Sequence, residues 1–183
     1  MAVYTDITDA ELEAFLADFD LGAPLAFKGI AEGVSNSNFL LETEKGRFIL
    51  TVYEQRVEAK DLPYFLGLMR WLADHDYPSA RPVDDRSGQA LKTLRGKPVA
   101  LANFLTGMSV RRPTAAHCKE AGLGLARLHA AARDYPGRRP NNLGQQHWRA
   151  MFDGLKPAAE RLKPGLAAVI AADLADFATQ WPD

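Results

Sequence analysis

The spacing of the apolar residues changes near Gly107, and this change limits the folds that the chain can adopt. Before Gly107 the apolar residues lie in short runs bounded by turn residues, which is typical of β-strands. After Gly107 they recur every three or four residues, which is typical of amphipathic helices. A segment of paired strands that leads into a helical segment indicates an α+β fold with an antiparallel sheet.

Five strands are predicted before Gly107, at residues 25–30, 39–43, 47–53, 90–94 and 99–105. Gly46 ends the tight turn Glu44-Lys45-Gly46 and predicts a hairpin between the second and third strands. A helix with Asp61 as its N-cap lies between the third and fourth strands. A further helix comes before the sheet, where Thr8 and Glu11 form a capping box and an apolar stripe runs on towards Gly22.

Three more helices are predicted after Gly107. Thr114 caps the first, which places Cys118 on its buried stripe and ends near His129. Trp148 lies in the second, which Pro157 bends or interrupts. We therefore predict one lobe at residues 1–106 and the beginning of a helical second lobe at residues 107–183. The lack of a closing element at the end of the sequence predicts that the chain is the N-terminal portion of a longer protein.

Composition excludes several classes of protein. The 22 basic and 23 acidic residues give a net charge of −1, without the excess of basic residues that a nucleic-acid-binding protein needs. Apolar stretches are shorter than the roughly 18 residues of a membrane span, and the N-terminal residues do not follow the pattern of a signal peptide. A single cysteine, Cys118, excludes an internal disulfide and a cysteine-based zinc site. We expect a cytoplasmic protein without nucleic-acid or membrane partners; oligomeric state is left open.

A polar loop connects the first two predicted strands and has the sequence Gly33-Val34-Ser35-Asn36-Ser37-Asn38. Its backbone N–H groups and its Ser and Asn side chains can donate hydrogen bonds to phosphate oxygens. The same residue types are also those of an ordinary hairpin turn. The loop alone therefore leaves both interpretations open.

The order of strands and helices, together with several motifs, resembles the aminoglycoside-phosphotransferase-like kinases, which share the protein-kinase-like fold. Within these kinases the chain is similar to the homoserine kinase family over residues 3–183. The motifs that carry this resemblance are the loop Gly33–Phe39 and the segments Glu54–Val57, Asp61–Leu66, Phe104–Pro113, Gly122–His129 and Arg139–Gly144.

This resemblance implies transfer of the γ-phosphoryl group of ATP, with Mg²⁺, to the side-chain hydroxyl of homoserine, a small-molecule substrate, in threonine biosynthesis. It implies a nucleotide site in which the strand residues and the linker between the lobes take part. The residues implied are Gly33, Val34, Ser35, Asn36, Ser37, Asn38, Thr51, Asn103, Phe104 and Leu105.

The chain departs from the family pattern at two points. Thr51 occupies the position at which many relatives have a phosphate-binding lysine, and the helix that follows has no glutamate to pair with one. The His-x-Asp-x-x-x-x-Asn motif that supplies the catalytic Asp is absent. We therefore expect no catalytic and no metal-binding residue within 1–183, and expect both beyond Asp183. Two alternatives are another small-molecule kinase of the choline or aminoglycoside type and a non-catalytic kinase-like binding module.

Overall fold

The computed structural model describes residues 3–31, 35–54 and 57–180. The chain divides into two compact units, residues 1–138 and residues 139–183. Within the described residues the first unit holds a five-stranded sheet and three helices, and the second unit holds two helices. None of these helices is long and apolar enough to cross a membrane. The lobe boundary expected near residue 107 stays a prediction.

The five strands form one antiparallel sheet in the order β1-β2-β3-β5-β4, which confirms the predicted fold class. Gly46 follows the turn between β2 and β3 with a φ of 142°, a conformation that favours glycine. The strands are Pro24–Gly29 (β1), Asn36–Thr43 (β2), Gly46–Tyr53 (β3), Leu91–Leu94 (β4) and Lys97–Asn103 (β5).

Strand β2 begins earlier than the sequence predicts. Residues 36–38, which were predicted to be loop, pair in register with residues 51–53 of β3. The prediction was wrong because hydrogen bonds to β3 outweigh the low strand propensity of Asn and Ser. As neighbouring side chains of a strand point to opposite faces, Asn36 and Asn38 lie on one face of the sheet and Ser37 lies on the other.

The first helix, Asp9–Leu16 (α1), packs against the face of the sheet that carries Ser37, which we call the core face. The predicted capping box is present, with Glu11 N–H donating to the Thr8 hydroxyl and Thr8 N–H donating to Glu11 Oε2. The other oxygen of Glu11 accepts a 2.6 Å bond from Arg95, in the turn between β4 and β5. The core contains Ile7, Leu12, Phe15, Leu16, Phe19, Leu21, Phe39, Leu41, Phe48, Leu50, Val52, Val99 and Leu101.

The sequence predicts that α1 ends at Gly22, but the helix ends at Leu16. Arg86 is the physical reason, because its guanidinium donates to Ala17 O at 2.6 Å and its N–H donates to Asp18 O at 2.9 Å. These bonds satisfy carbonyl groups that a longer helix would use for its own next turn. The apolar stripe stays buried although its last part is not helical.

The helix between β3 and β4, Leu62–Asp74 (α2), follows a short 3₁₀ turn at Ala59–Asp61. The side-chain cap predicted for Asp61 is not formed, because Asp61 already has helical backbone angles as the end of that turn. The next helix, Ala115–Ala132 (α3), begins as predicted, with the Thr114 hydroxyl accepting from His117 N–H. It extends one turn past the predicted end at His129.

Helices α2 and α3 are joined by aromatic side chains. Trp71 Nε1 donates to Ala131 O at 2.7 Å, and the Tyr135 hydroxyl donates to Tyr64 O at 3.0 Å. The Tyr135 ring also packs edge-on against Tyr64 and obliquely against Trp71. A Cβ at Gly67 would lie 2.5 Å from the Tyr135 hydroxyl oxygen, so the close approach requires glycine at this position.

We expect Gly67→Ala to lower the free energy of unfolding by about 1–3 kcal/mol, because the added methyl displaces Tyr135 from its contacts. Gly124→Ala in α3 is the matched control, since a Cβ there meets nothing within 4 Å. It should stabilise the protein by about 0.5–1 kcal/mol through helix propensity. Chemical denaturation of both variants measures the difference. Equal effects of the same sign would show that Tyr135 does not restrict residue 67.

Helix α3 corrects one prediction about burial. Cys118 is exposed and not part of a buried stripe, and Leu125 on the same stripe is 53% exposed. The bonds to α2 come from the last turn of α3 and from Tyr135. Among the described residues of this unit, the earlier turns of α3 bury no side chain.

The second unit is an antiparallel pair of helices, Gln145–Leu162 (α4) and Leu166–Gln180 (α5). Trp148 near the start of α4 packs edge-on against Phe177 near the end of α5. Glu160 near the end of α4 accepts hydrogen bonds of 2.9 Å from the N–H groups of Gly165 and Ala167 at the start of α5. The chain continues as one helix through Pro157, so the predicted interruption does not occur.

Candidate nucleotide-binding site

Two asparagines and a threonine lie together on the face of the sheet opposite α1. Asn38 pairs with Thr51 across β2 and β3, and Asn36 lies two residues before Asn38 on the same face. We call the face at Asn36, Asn38 and Thr51 the amide face. The structure thus brings together three of the residues that the sequence predicts for nucleotide binding.

Thr51 orients the side chain of Asn38. Its hydroxyl donates a 2.9 Å hydrogen bond to Asn38 Oδ1. The Asn38 amide nitrogen is thereby turned away from Thr51, and its N–H groups can serve as donors to another partner. Thr51 has no charge with which to replace the lysine of related kinases, but it fixes an amide donor beside that position.

Asn36 carries a buried oxygen, Oδ1, that has no hydrogen-bond partner within the described ranges. An unsatisfied buried oxygen costs free energy, because it has lost its bonds to water. Such a group needs a partner that the described residues do not supply. The oxygen can accept a hydrogen bond from a hydroxyl or an amino group.

The side chain of Ser37 points away from the amide face into a partly buried polar cluster on the core face. Glu54 Oε1 accepts from Ser37 Oγ at 2.5 Å and from Thr5 Oγ1 at 2.8 Å. Lys97 Nζ pairs with Glu54 Oε2 and donates to Thr5 Oγ1 at 2.7 Å. We call Thr5, Ser37, Glu54 and Lys97 the Glu54 network. Because the Ser37 hydroxyl is bonded to Glu54, Ser37 can contact a nucleotide only through its backbone.

The Glu54 carboxylate forms an ion pair with Lys97 although the Glu54 side chain is only 7% exposed. Burial raises the pKa of Glu54, but hydrogen bonds from Lys97, Ser37 and Thr5 together outweigh burial and hold the pKa below its ordinary value. The network therefore contains a paired positive and negative charge, and all its hydroxyl groups have partners.

The residues predicted for the linker follow the end of β5 at Asn103, so the strand is shorter than the predicted 99–105. Asn103 is used within the protein, since its N–H donates to Arg81 O at 3.0 Å and its Oδ1 accepts from Arg81 N–H. Phe104 N–H donates to Arg47 O at 3.0 Å, and the Arg47 guanidinium lies 4.6 Å from the centre of the Phe104 ring. In the described part of the chain the Leu105 N–H has no partner. The linker can therefore offer the Leu105 backbone to a planar base.

The remaining predicted residues precede β2 in the sequence. Ser35 is half-buried at the entry to β2. Gly33 and Val34 lie outside the described residues. Within the described ranges, no three His, Cys, Asp or Glu side chains form a group that could hold a metal ion. These residues fit a nucleotide but do not by themselves fit Mg²⁺.

Two residues of this region, Glu54 and Lys97, were not predicted to be site residues. Both had a signal in the sequence. Glu54 is an acid that directly follows the apolar run of β3. Lys97 lies two residues before the buried Val99 and four before the buried Leu101, so it belongs to the same face of its strand. An acid and a lysine at such positions indicate a buried ion pair, although the sequence does not show that they meet.

A family model and several curated proteins match this chain in sequence. The family model described as "Phosphotransferase enzyme family" matches residues 26–183. The chain is 70% identical over 182 residues to a homoserine kinase from Phenylobacterium zucineum, and 68% identical over 182 residues to one from Caulobacter vibrioides. The alignments cover 100% of this chain, but only 56% and 57% of those proteins. The chain thus spans little more than half the length of these curated relatives.

Solved structures show the same fold at low sequence identity. A spectinomycin phosphotransferase in complex with ADP and spectinomycin superposes with a TM-score of 0.63 at 12% identity, over 98% of this chain and 60% of that one. An aminoglycoside phosphotransferase from Alicyclobacillus acidocaldarius superposes with a TM-score of 0.58 at 14% identity, over 94% of this chain and 54% of that one.

Proposed function

The chain belongs to the phosphotransferase enzyme family, and on this basis we propose that the full-length protein transfers the γ-phosphoryl group of ATP to the side-chain hydroxyl of homoserine. The observation that carries the proposal is the 70% identity to a homoserine kinase over 182 residues, which includes every strand of the sheet. Threonine biosynthesis, in the cytoplasm where ATP is available, is the process that such an activity serves.

The residues 1–183 supply the nucleotide half of the proposed site. In this proposal the amide face supplies donors to the phosphate groups, and the backbone of Leu105 supplies hydrogen bonds to the base. Asn38 donates through its amide nitrogen, which Thr51 orients. Residues 1–106 form the nucleotide lobe in this proposal, and residues 107–183 begin the helical lobe.

Phosphoryl transfer also needs a carboxylate to orient the attacking hydroxyl and a Mg²⁺ ion to neutralise charge on the phosphates. The described residues present no cluster of metal ligands. We propose that the catalytic carboxylate and the metal ligands lie outside these 183 residues, because the sequence lacks the His-x-Asp-x-x-x-x-Asn motif.

The test is ADP formation by the full-length protein with ATP–Mg²⁺ and one acceptor at a time. We expect homoserine to stimulate ADP formation strongly, while choline and an aminoglycoside leave the rate near the background of ATP hydrolysis. Strong stimulation by choline or an aminoglycoside, with none by homoserine, would mean that the protein transfers phosphoryl groups to a different acceptor. Binding of ATP without turnover of any acceptor would indicate a kinase-like binding module.

A further inference from the structure

The Glu54 network lies directly behind the amide face. Ser37 sits between Asn36 and Asn38 in β2, and its side chain is 0% exposed on the core face while theirs lie on the other face. The three residues share consecutive peptide groups. A shift of Ser37 therefore displaces both asparagine side chains together.

We propose that Glu54 is a positioning residue for nucleotide binding, which holds Ser37 and thereby fixes Asn36 and Asn38 against the nucleotide. This inference rests on the nucleotide-binding half of the proposed function and does not depend on the identity of the phosphoryl acceptor.

The bonding within the network is complete, which gives it one defined arrangement. Ser37 Oγ donates to Glu54 and accepts from the N–H groups of Tyr4 at 2.8 Å and Thr5 at 3.1 Å. Thr5 Oγ1 donates to Glu54 and accepts from Lys97. A network in which every member has its partners holds its side chains in one geometry.

The network also joins segments that are far apart in the sequence. Thr5 precedes α1, Ser37 is the second residue of β2, Glu54 follows β3 and Lys97 opens β5. Three of the four thus meet at the end of the sheet where β2 begins and β3 ends. We expect loss of the Glu54 charge to release β2 at its first residues, which carry the amide face, while its pairing with β3 farther along the strand is kept.

A second buried ion pair in the same unit provides a comparison. Asp85, with a side chain only 2% exposed, accepts from Lys92 Nζ at 2.6 Å and from the Ser87 and Gln89 N–H groups. Lys92 lies on β4, which is an edge strand separated from β2 by β3 and β5. This pair is similar in chemistry and burial but has no contact with β2. Loss of this ion pair should lower the stability of the protein without changing its affinity for ATP.

The experiment compares Ser37→Ala, Glu54→Gln and the control Asp85→Asn in the full-length protein. Calorimetry with ATP–Mg²⁺ gives Kd, steady-state kinetics gives KM for ATP and kcat, and thermal unfolding gives Tm. We expect Ser37→Ala and Glu54→Gln to raise Kd and KM for ATP about tenfold, because the amides are displaced, with kcat less affected. Asp85→Asn should lower Tm and leave both constants unchanged.

Lower Tm values for all three variants with an unchanged Kd for ATP would overturn the inference, since the network is then only structural. If Glu54→Gln does not fold, Ser37→Ala decides, because it removes one hydroxyl and keeps the Glu54–Lys97 ion pair. A wild-type protein that does not bind ATP–Mg²⁺ contradicts the proposed function itself. A wild-type protein that binds ATP–Mg²⁺ as tightly as its variants contradicts only the role of Glu54.

Discussion

Asn38→Asp should weaken the binding of ATP by the full-length protein about a hundredfold, which corresponds to about 2.7 kcal/mol. The substitution keeps the size of the side chain and replaces its amide donor by a carboxylate. A like charge facing the phosphates costs several kcal/mol, about as much as this loss requires. The KM for ATP in steady-state kinetics, with homoserine in excess, measures the change.

The hydrogen bond between Thr51 and Asn38 allows the effect of charge on ATP binding to be distinguished from a loss of folding. Thr51 donates to Oδ1 of Asn38, and an aspartate in its place accepts the same hydrogen bond. The variant should therefore keep its strand pairing and its Tm near the wild-type value. Asn38→Ala, which removes the donor without adding a charge, should weaken ATP binding by a smaller factor of about tenfold.

Asn142→Asp is the control for the change in net charge. Asn142 is exposed in the second unit, before α4, and the same substitution there alters the charge of the protein equally. Its KM for ATP should match the wild type. If Asn38→Asp and Asn142→Asp have the same small effect, the amide face does not contact the phosphates and the nucleotide site lies elsewhere.

The parts of the fold that the sequence predicted correctly depend on neighbouring residues. The capping box at Thr8, the N-cap at Thr114 and the turn at Gly46 involve residues within three positions of one another. Local hydrogen bonds and backbone preferences determine these features, so they can be recognised in a single sequence.

The parts that were wrong or missed depend on residues far apart in the chain. Asn36 belongs to β2 because it pairs with Tyr53, and α1 ends early because Arg86 binds the carbonyls of Ala17 and Asp18 that follow it. Glu54 meets Lys97 only because β3 and β5 are neighbours in the sheet. Propensity and periodicity carry no information about such partners. The roles of the candidate site residues stay predictions for the same reason.

The amide face and the Glu54 network are two sides of one piece of β2. Alternation along the strand gives each face its own chemistry, with amides on one side and a paired charge on the other. A lysine on β3, as in related kinases, would reach phosphate directly through a long charged side chain. With Thr51 in that position, the proposed site depends on short side chains, and short side chains need an accurately placed strand.

Acidification should unfold the protein as the pH falls from about 5 to about 2, because carboxylates that stabilise the fold become protonated. A hydrogen bond from Arg95, with others from Thr8, lowers the pKa of Glu11 from 4.5 to about 2. The pKa of Asp85 is also lowered, chiefly by its bond to Lys92, and that of Glu54 is lowered despite its burial. A lowered pKa in the folded state contributes stability above the unfolded-state pKa, and this contribution is lost as the pH falls through the folded-state value.

Tm measured from pH 7 to pH 2 for the wild type, Glu11→Gln and Glu120→Gln tests this explanation. Glu11 links α1 to the turn between β4 and β5, so Glu11→Gln should lower Tm by several degrees at pH 7 and flatten its decline below pH 5. Glu120 is exposed on α3, and its substitution should change neither the Tm at pH 7 nor the decline. A decline that is equally steep in Glu11→Gln and the wild type would mean that other carboxylates, with Asp85 and Glu54 the first to be tested, account for the loss of stability in acid.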